Sequence, residues 1–99
     1  MKTIAQDAYY DILYHIQKQG GAYSSWYCGT TENIKNRVYG DHKVPEEGHW
    51  RIYRQCTTST AAKNVEKALL DHGCDGEPGG GDDNAVFVYA YLKALFTDP

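Results

Sequence analysis

The sequence predicts an α/β (α+β) domain in which about three helices flank a small, mostly antiparallel sheet of three strands. Three features predict this fold: an apolar stripe at helical spacing near the start, two stretches that alternate or favour aromatic residues, and an apolar run near the end. With 99 residues, 41% of them hydrophobic and 23% charged, the chain is expected to form a single domain over residues 1–99. The elements follow one another in the order αβαβαβ.

An apolar residue recurs at every fourth position of the first segment: Ile4, Ala8, Ile12 and Ile16. This stripe predicts an amphipathic helix over residues 3–18 that ends at Gly20 and Gly21. Residues 22–28 (AYSSWYC) predict a strand. Thr30 or Thr31 is expected to cap a short helix that continues to about Val38.

The second half of the chain predicts two strands with a helix between them. Residues 50–56 (WRIYRQC) alternate as a half-buried strand does. A helix is expected to begin at Ser59 or Thr60 and to end at Gly73, with a buried stripe formed by Ala61, Ala62, Val65, Ala68 and Leu69. After a glycine-rich loop, residues 85–92 (AVFVYAYL) are apolar on both faces, which predicts the central strand of the sheet.

Charge is distributed unevenly along the chain. The net charge is −3, so the overall charge does not favour nucleic acid. However, residues 35–67 carry more basic than acidic side chains, whereas residues 71–83 carry acidic side chains and no basic ones. We therefore expect any contact with DNA to be weak and salt-sensitive.

The cysteines do not indicate a metal centre or a disulfide framework. There are 3 of them, widely spaced, and no CxxC motif occurs. A zinc site drawn from Cys28, Cys74, His42 and His72 would have poor ligand spacing, so no zinc is expected. The chain shows no apolar run long enough for a signal peptide or membrane span, and we expect a cytoplasmic protein without membrane contact.

One segment resembles a known nuclease family. Residues 26–31 (WYCGTT), with Arg37 ten positions after Tyr27, are similar to the second half of the signature of the GIY-YIG nucleases. In that family a Tyr-x-Gly ends a strand, an arginine follows in the next helix, and a later helix carries one glutamate. Glu66 lies in the middle of the helix that follows the second predicted strand. The match covers residues 26–70.

The resemblance implies a metal-dependent endonuclease that hydrolyses phosphodiesters in DNA. In this hypothesis Arg37 binds the scissile phosphate, Glu66 holds Mg²⁺ or Mn²⁺, and Tyr27 orients the attacking water. Ordinary structural roles stay open for the same residues. Glu66 could pair with Lys63 or Lys67, Arg37 could be a solvated helix residue, and Tyr27 could be a core aromatic.

The chain departs from the family pattern at two places. A family histidine usually follows the arginine by four positions, whereas His42 follows Arg37 by five, which leaves a proton-relay role and an exposed loop position both open. The family's first strand, with its own tyrosine, is missing before Tyr27. We interpret the last predicted strand as its replacement, as in a circular permutation, so that Tyr89 or Tyr91 supplies the second hydroxyl.

Further residues complete the predicted substrate site. Lys35 and Lys43 flank Arg37 in the basic stretch and are predicted to bind DNA phosphates. Asn84 could match an asparagine that follows the glutamate in many members of the family, although a flexible turn is an equal alternative. A second hypothesis keeps the fold without catalysis, as a module that binds nucleic acid or a protein partner. A homodimer also stays open, and so does an interaction domain unrelated to nucleases.

Overall fold

The structure is a computed structural model that describes residues 2–19, 22–45, 50–76 and 84–97. The predicted helix end at Gly20 and Gly21 and most of the glycine-rich loop lie outside these residues. The described elements are β1 (Lys2–Thr3), α1 (Ala5–Lys18), a short 3₁₀ helix (Tyr23–Ser25), β2 (Trp26–Thr31), a π-helix (Lys35–Asp41), β3 (Arg51–Cys56), α2 (Ser59–Asp71) and β4 (Phe87–Leu92). The expected α+β class is confirmed, and within this part of the chain no helix is long and apolar enough to cross a membrane.

The sheet has four strands in the order β1-β3-β4-β2. β4 pairs antiparallel with β3 on one side and with β2 on the other, while β1 pairs parallel with β3. The prediction that residues 85–92 form a central strand is therefore confirmed for Phe87–Leu92. Its side chains are apolar on both faces because both faces are covered.

Alternation along the strands divides the core into two clusters, one on each face of the sheet. On one face α1 and α2 pack against Trp26, Cys28, Val88 and Ala90. On the other face the π-helix and the following loop pack against three tyrosines, which are Tyr27, Tyr89 and Tyr91.

The start of the chain differs from the prediction in two respects. The helix begins at Ala5 rather than at residue 3, and Lys2–Thr3 form a fourth strand opposite Gln55 and Cys56. Ile4, expected in the buried stripe, precedes the helix and is 55% exposed. A strand of two residues has no periodicity of its own, so only its partner strand defines it.

The predicted cap of the second helix was wrong. Thr30 and Thr31 belong to β2, which starts at Trp26 and not at residue 22. The Thr31 hydroxyl instead accepts a hydrogen bond from the Asn33 amide, and the Asn33 side chain accepts one from the Asn36 amide at 3.1 Å. Asn33 thus satisfies a free N–H at the start of the helix, which is the role expected of Thr30 or Thr31.

The start of α2 depends on a side-chain cap. The Thr58 hydroxyl accepts a hydrogen bond from the Ala61 amide at 3.0 Å, and the backbone of Thr58 is extended. Three residues of α2 then pack into the core below the sheet: Ala62, Val65 and Leu69. The cap therefore fixes where the helix begins, and with it the position of Glu66.

We predict that Thr58→Ala lowers the free energy of unfolding by about 1 kcal/mol, because the Ala61 amide loses its acceptor. Urea denaturation followed by circular dichroism measures this change. Thr58→Ser keeps the hydroxyl and should be within a few tenths of a kcal/mol of the parent protein. Equal losses in the Ala and Ser variants would show that the hydrogen bond is not what stabilises the helix start.

Candidate functional site

The side chain of Tyr89 lies at the centre of the candidate site. It projects from the interior strand β4 and is 2% exposed. Its register partner in β2 is Gly29, and a Cβ atom at position 29 would lie 2.5 Å from the Tyr89 hydroxyl oxygen. Any larger residue at position 29 would have to displace the ring, so the glycine of the Tyr-x-Gly motif provides the space for this hydroxyl.

His42 connects two tyrosine hydroxyls. Its Nε2 atom lies 2.8 Å from the Tyr89 hydroxyl oxygen, and its Nδ1 atom lies 3.2 Å from the Tyr91 hydroxyl oxygen. The His42 ring is 3% exposed, so the exposed loop position considered from the sequence is not what the structure shows. A neutral imidazole donates from one nitrogen and accepts at the other, so the three groups form a continuous hydrogen-bonded chain.

Arg37 reaches the same tyrosine from the π-helix. A hydrogen bond to the Tyr89 hydroxyl raises the pKa of the Arg37 guanidinium above its ordinary value. The side chain is 49% exposed, and its contact with Asp41 is a 3.5 Å surface ion pair, which contributes little. Arg37 is therefore anchored at one side by Tyr89 and open to solvent at the other, rather than simply solvated.

Glu66 is buried on α2, with 3% of its surface exposed. Removal from water raises the pKa of its carboxyl group to about 7, and the charge of Lys63 opposes that shift without cancelling it. Among the described residues its carboxylate forms no ion pair within 4.0 Å, so the pairing with Lys63 or Lys67 considered from the sequence is not formed. A buried carboxylate without a cationic partner is costly, which indicates a role other than stability.

The charges of Arg37 and Glu66 act on one hydroxyl. Burial is the main cause that raises the pKa of Tyr89 to about 12; the Arg37 hydrogen bond lowers it, while the charges of Tyr27 and Glu66 raise it further. The guanidinium and the carboxylate thus lie close enough to Tyr89 for each to influence the same oxygen. Arg37 approaches Tyr89 from the π-helix, on the tyrosine-bearing face of the sheet, whereas α2, which carries Glu66, packs against the other face.

The strand pairing brings Tyr27 beside the last strand. Tyr27 is the register partner of Tyr91, and the two ring centroids are 5.5 Å apart. The Tyr27 ring also lies 5.0 Å from the His42 ring. Tyr91 is therefore next to Tyr27, and Tyr89 lies two residues along the same strand, opposite Gly29.

The π-helix explains why His42 follows Arg37 by five positions. In a π-helix each amide bonds to the carbonyl five residues earlier, and the His42 amide donates to the Arg37 carbonyl at 2.9 Å. The additional residue is absorbed by the wider turn, so His42 lies one turn after Arg37. Short π-helical segments occur frequently at functional sites.

The predicted substrate-binding residues lie at the margin of this cluster. Lys35 begins the π-helix and is exposed, and Lys43 is exposed in the loop after it, with a φ of 59°. Asn84 is exposed and precedes β4 at the end where Phe87 pairs with Thr31. The structure thus places Lys35 and Lys43 beside the element that carries Arg37, and Asn84 on a different strand end.

Sequence reasoning missed one arginine near the cluster. The Nε atom of Arg51 in β3 donates a hydrogen bond to the Tyr39 hydroxyl at 3.0 Å, and its guanidinium carbon lies 5.4 Å from the centre of the Tyr39 ring. In the sequence, the alternation in residues 50–56 indicates that Arg51 and Tyr53 share one face of the strand, but nothing in it indicates that this face also carries Tyr89.

The described residues contain no group of three or more His, Cys, Asp or Glu side chains that could hold a metal. A single carboxylate such as Glu66 can still anchor Mg²⁺, because this ion retains several waters and takes other oxygens from a substrate phosphate.

No family model, curated protein or solved structure matches this chain.

The raised pKa of Glu66 makes the stability of the metal-free protein depend on pH. Below about pH 4.5 the carboxyl group is protonated in the folded and unfolded chains alike, and it costs nothing. Between about 4.5 and 7 the unfolded chain ionises while the folded chain keeps its proton, so stability falls as pH rises. We therefore expect Glu66→Gln to gain roughly 2–4 kcal/mol relative to the parent protein over this interval.

Urea denaturation at several pH values, in the presence of a chelator, measures the difference. Asp71→Asn, at the exposed end of the same helix, provides the matched control and should show no such gain. A constant difference between Glu66→Gln and the parent protein across this pH range would contradict the buried, protonated carboxyl group.

Proposed function

We propose that this domain is a metal-dependent endonuclease that hydrolyses phosphodiesters in DNA, as its resemblance to the GIY-YIG nucleases implies. The observation that carries the proposal is the convergence on the Tyr89 hydroxyl. His42, from the loop after the π-helix, contacts this buried group, Arg37 approaches it from the π-helix, and the charge of Glu66 on α2 raises its pKa. These residues are far apart in the sequence, and they are of the types that phosphodiester hydrolysis requires.

Arg37 is the phosphate-binding residue in this proposal. Its guanidinium has a fixed charge and a rigid set of donors that match phosphate oxygens. The hydrogen bond to Tyr89 restricts its position, while nearly half of the side chain faces solvent. An anionic substrate can therefore reach a positioned cation, and Lys35 and Lys43 add weaker attraction from neighbouring exposed positions.

The tyrosines and His42 handle the proton of the attacking water. With a pKa of about 12, Tyr89 keeps its proton near neutral pH, so it acts as a donor rather than as a base. Tyr27 orients the water from the neighbouring strand. His42 is the group that accepts the proton: the water gives its proton to the Tyr89 oxygen as Tyr89 passes its own to His42 Nε2, and Nδ1–H of the resulting imidazolium donates to the Tyr91 hydroxyl.

Glu66 would hold Mg²⁺ or Mn²⁺. The fit is supported by its buried carboxyl group, which lacks a cationic partner within the described residues and whose charged form a divalent ion would stabilise. When bound, the metal supplies positive charge that neutralises the phosphodiester and makes a bound water more acidic.

The position of β4 supports the proposed permutation. The last strand lies beside β2, with Tyr89 opposite Gly29 and Tyr91 opposite Tyr27. This pairing supports the proposal that a tyrosine of β4 replaces the first-strand tyrosine of the family.

We predict that the protein nicks supercoiled plasmid DNA in the presence of Mg²⁺ or Mn²⁺, and that Arg37→Ala and Glu66→Ala each reduce the rate at least about 100-fold. Removal of one group that stabilises the transition state commonly has an effect of this size. Gel electrophoresis of the plasmid over time measures the rate.

Lys18→Ala and Asp71→Asn remove exposed charges on α1 and α2 and should leave the rate unchanged. Undiminished nicking by Arg37→Ala and Glu66→Ala would show that a contaminant cuts the DNA. A salt-dependent mobility shift without nicking would instead support the module that binds nucleic acid without catalysis.

We predict further that Mg²⁺ stabilises the parent protein at pH 8 and has no such effect on Glu66→Gln. At ten times the dissociation constant, a bound ion contributes about 1.4 kcal/mol to the free energy of unfolding. Thermal unfolding with Mg²⁺, compared with Na⁺ at equal ionic strength, measures the effect. Equal stabilisation of the Gln variant would place the metal elsewhere, and the effect in the parent protein should weaken below about pH 7, where Glu66 becomes protonated.

A further inference from the structure

Two neighbouring aromatic rings, one exposed and one half-buried, lie immediately beside the candidate site. Tyr53 in β3 is the register partner of Tyr89, so the two side chains project next to each other on the same face of the sheet. Tyr53 is 45% exposed, whereas Tyr89 is 2% exposed. The ring of Phe87, from β4, lies 6.2 Å from the Tyr53 ring in an edge-on arrangement. We call Tyr53 and Phe87 the aromatic platform.

Within the aromatic platform, Phe87 is packed against the core and Tyr53 is open to solvent. Phe87 packs against the same buried cluster that contains Tyr89 and Tyr91. The π-helix and its following loop bury Tyr89, but they leave Tyr53 in contact with solvent. Because Tyr53 projects from a paired strand, a flat ligand can stack on it with little loss of side-chain freedom.

The Arg51 side chain lies two residues before Tyr53 and projects from the same face of β3. The Arg51 guanidinium is fixed by the Tyr39 hydroxyl at 3.0 Å and lies over the Tyr39 ring. Tyr39, Arg51 and Tyr53 line a groove of about 560 Å³, which reaches around the edge of β3 to His15 and Arg54. That volume is in the range of small-molecule binding sites.

We propose that the aromatic platform and Arg51 form a subsite for an unpaired nucleotide next to the scissile phosphate, with the base on Tyr53 and a phosphate at Arg51. The proposal rests on the proposed nuclease function, and it narrows the substrate to nucleic acid that is single-stranded or locally unpaired. Aromatic side chains beside fixed cations are the combination that binds single strands, because every base offers a π-face.

Fully paired DNA does not fit this arrangement, whereas the locally unpaired segments of a negatively supercoiled plasmid do. In a double helix each base face is covered by its neighbours, and a base must leave the stack before a protein ring can contact it. Stacking on Tyr53 therefore discriminates between unpaired and paired substrates.

The test measures binding separately from cleavage. Fluorescence anisotropy with a labelled, mixed-sequence single-stranded DNA of about 12 nucleotides, and with the duplex of the same sequence, is recorded in the presence of a chelator. We expect the parent protein to bind the single strand more tightly than the duplex. Tyr53→Ala should weaken single-strand binding about 5- to 150-fold, the effect of losing one stacked base, and should leave duplex binding unchanged.

Two control variants define the result. Tyr53→Phe keeps the ring and should bind like the parent protein, and Tyr14→Ala removes an exposed tyrosine of 63% exposure from α1 and should also bind normally. Circular dichroism and thermal unfolding verify that Tyr53→Ala is folded. The proposal is overturned if the parent protein does not bind the single strand, if Tyr53→Ala binds it normally, or if Tyr53→Phe is as weak as Tyr53→Ala.

Failure of this proposal and failure of the nuclease function give different results. Metal-dependent nicking that Tyr53→Ala does not alter, together with unaltered binding, would retain the nuclease and remove the subsite. Tyr53-dependent binding of single strands without any cleavage would retain the subsite and remove the nuclease.

Discussion

A tyrosine hydroxyl buried away from water must find hydrogen-bond partners within the protein, and the site is arranged around that requirement for Tyr89. The hydroxyl lies against Gly29, where no side chain competes for the space, and it bonds with His42 and Arg37. Each of these partners is held by something else. The Tyr91 hydroxyl contacts the second His42 nitrogen, and the π-helix places His42 one turn after Arg37. Contacts from several elements thus hold the Tyr89 hydroxyl in one position.

β4 allows one small sheet to support both stability and a polar site. As an interior strand it is covered on both faces, and its side chains alternate between two kinds of core. Val88 and Ala90 face the helices and contribute apolar contacts, whereas Tyr89 and Tyr91 face the π-helix and contribute hydroxyls. The polar cluster thus lies on the opposite face of the sheet from the main hydrophobic core. Close packing on both faces leaves its side chains little freedom to move.

The elements that could be predicted from the sequence are those whose apolar residues recur at regular spacing or form a long run. α1 and α2 follow from periodicity and β4 from its apolar run, whereas the choice of Tyr27, Arg37 and Glu66 comes from the resemblance to a nuclease family. Two residues of β1 carry no pattern, and the seven residues of the π-helix do not differ in sequence from a short α-helix. The burial of His42 depends on tyrosines more than forty positions later in the chain, and only the strand register decides which tyrosine lies opposite Gly29. Pairing across such distances is set by tertiary packing and leaves no local signal.

The acidic balance of the chain constrains how it could hold nucleic acid. With a net charge of −3, long-range attraction is weak, so affinity must come from groups that are already in position when the ligand arrives. Two arginines meet this condition in the same way, since a tyrosine from another element fixes each one: Tyr89 for Arg37, and Tyr39 for Arg51. Both pairs lie on the tyrosine-bearing face of the sheet, where Tyr53 adds an exposed ring beside Tyr89. Tyr39 and Tyr89 thus position cations, and Tyr53 offers a stacking surface at low entropic cost, where net charge gives no help.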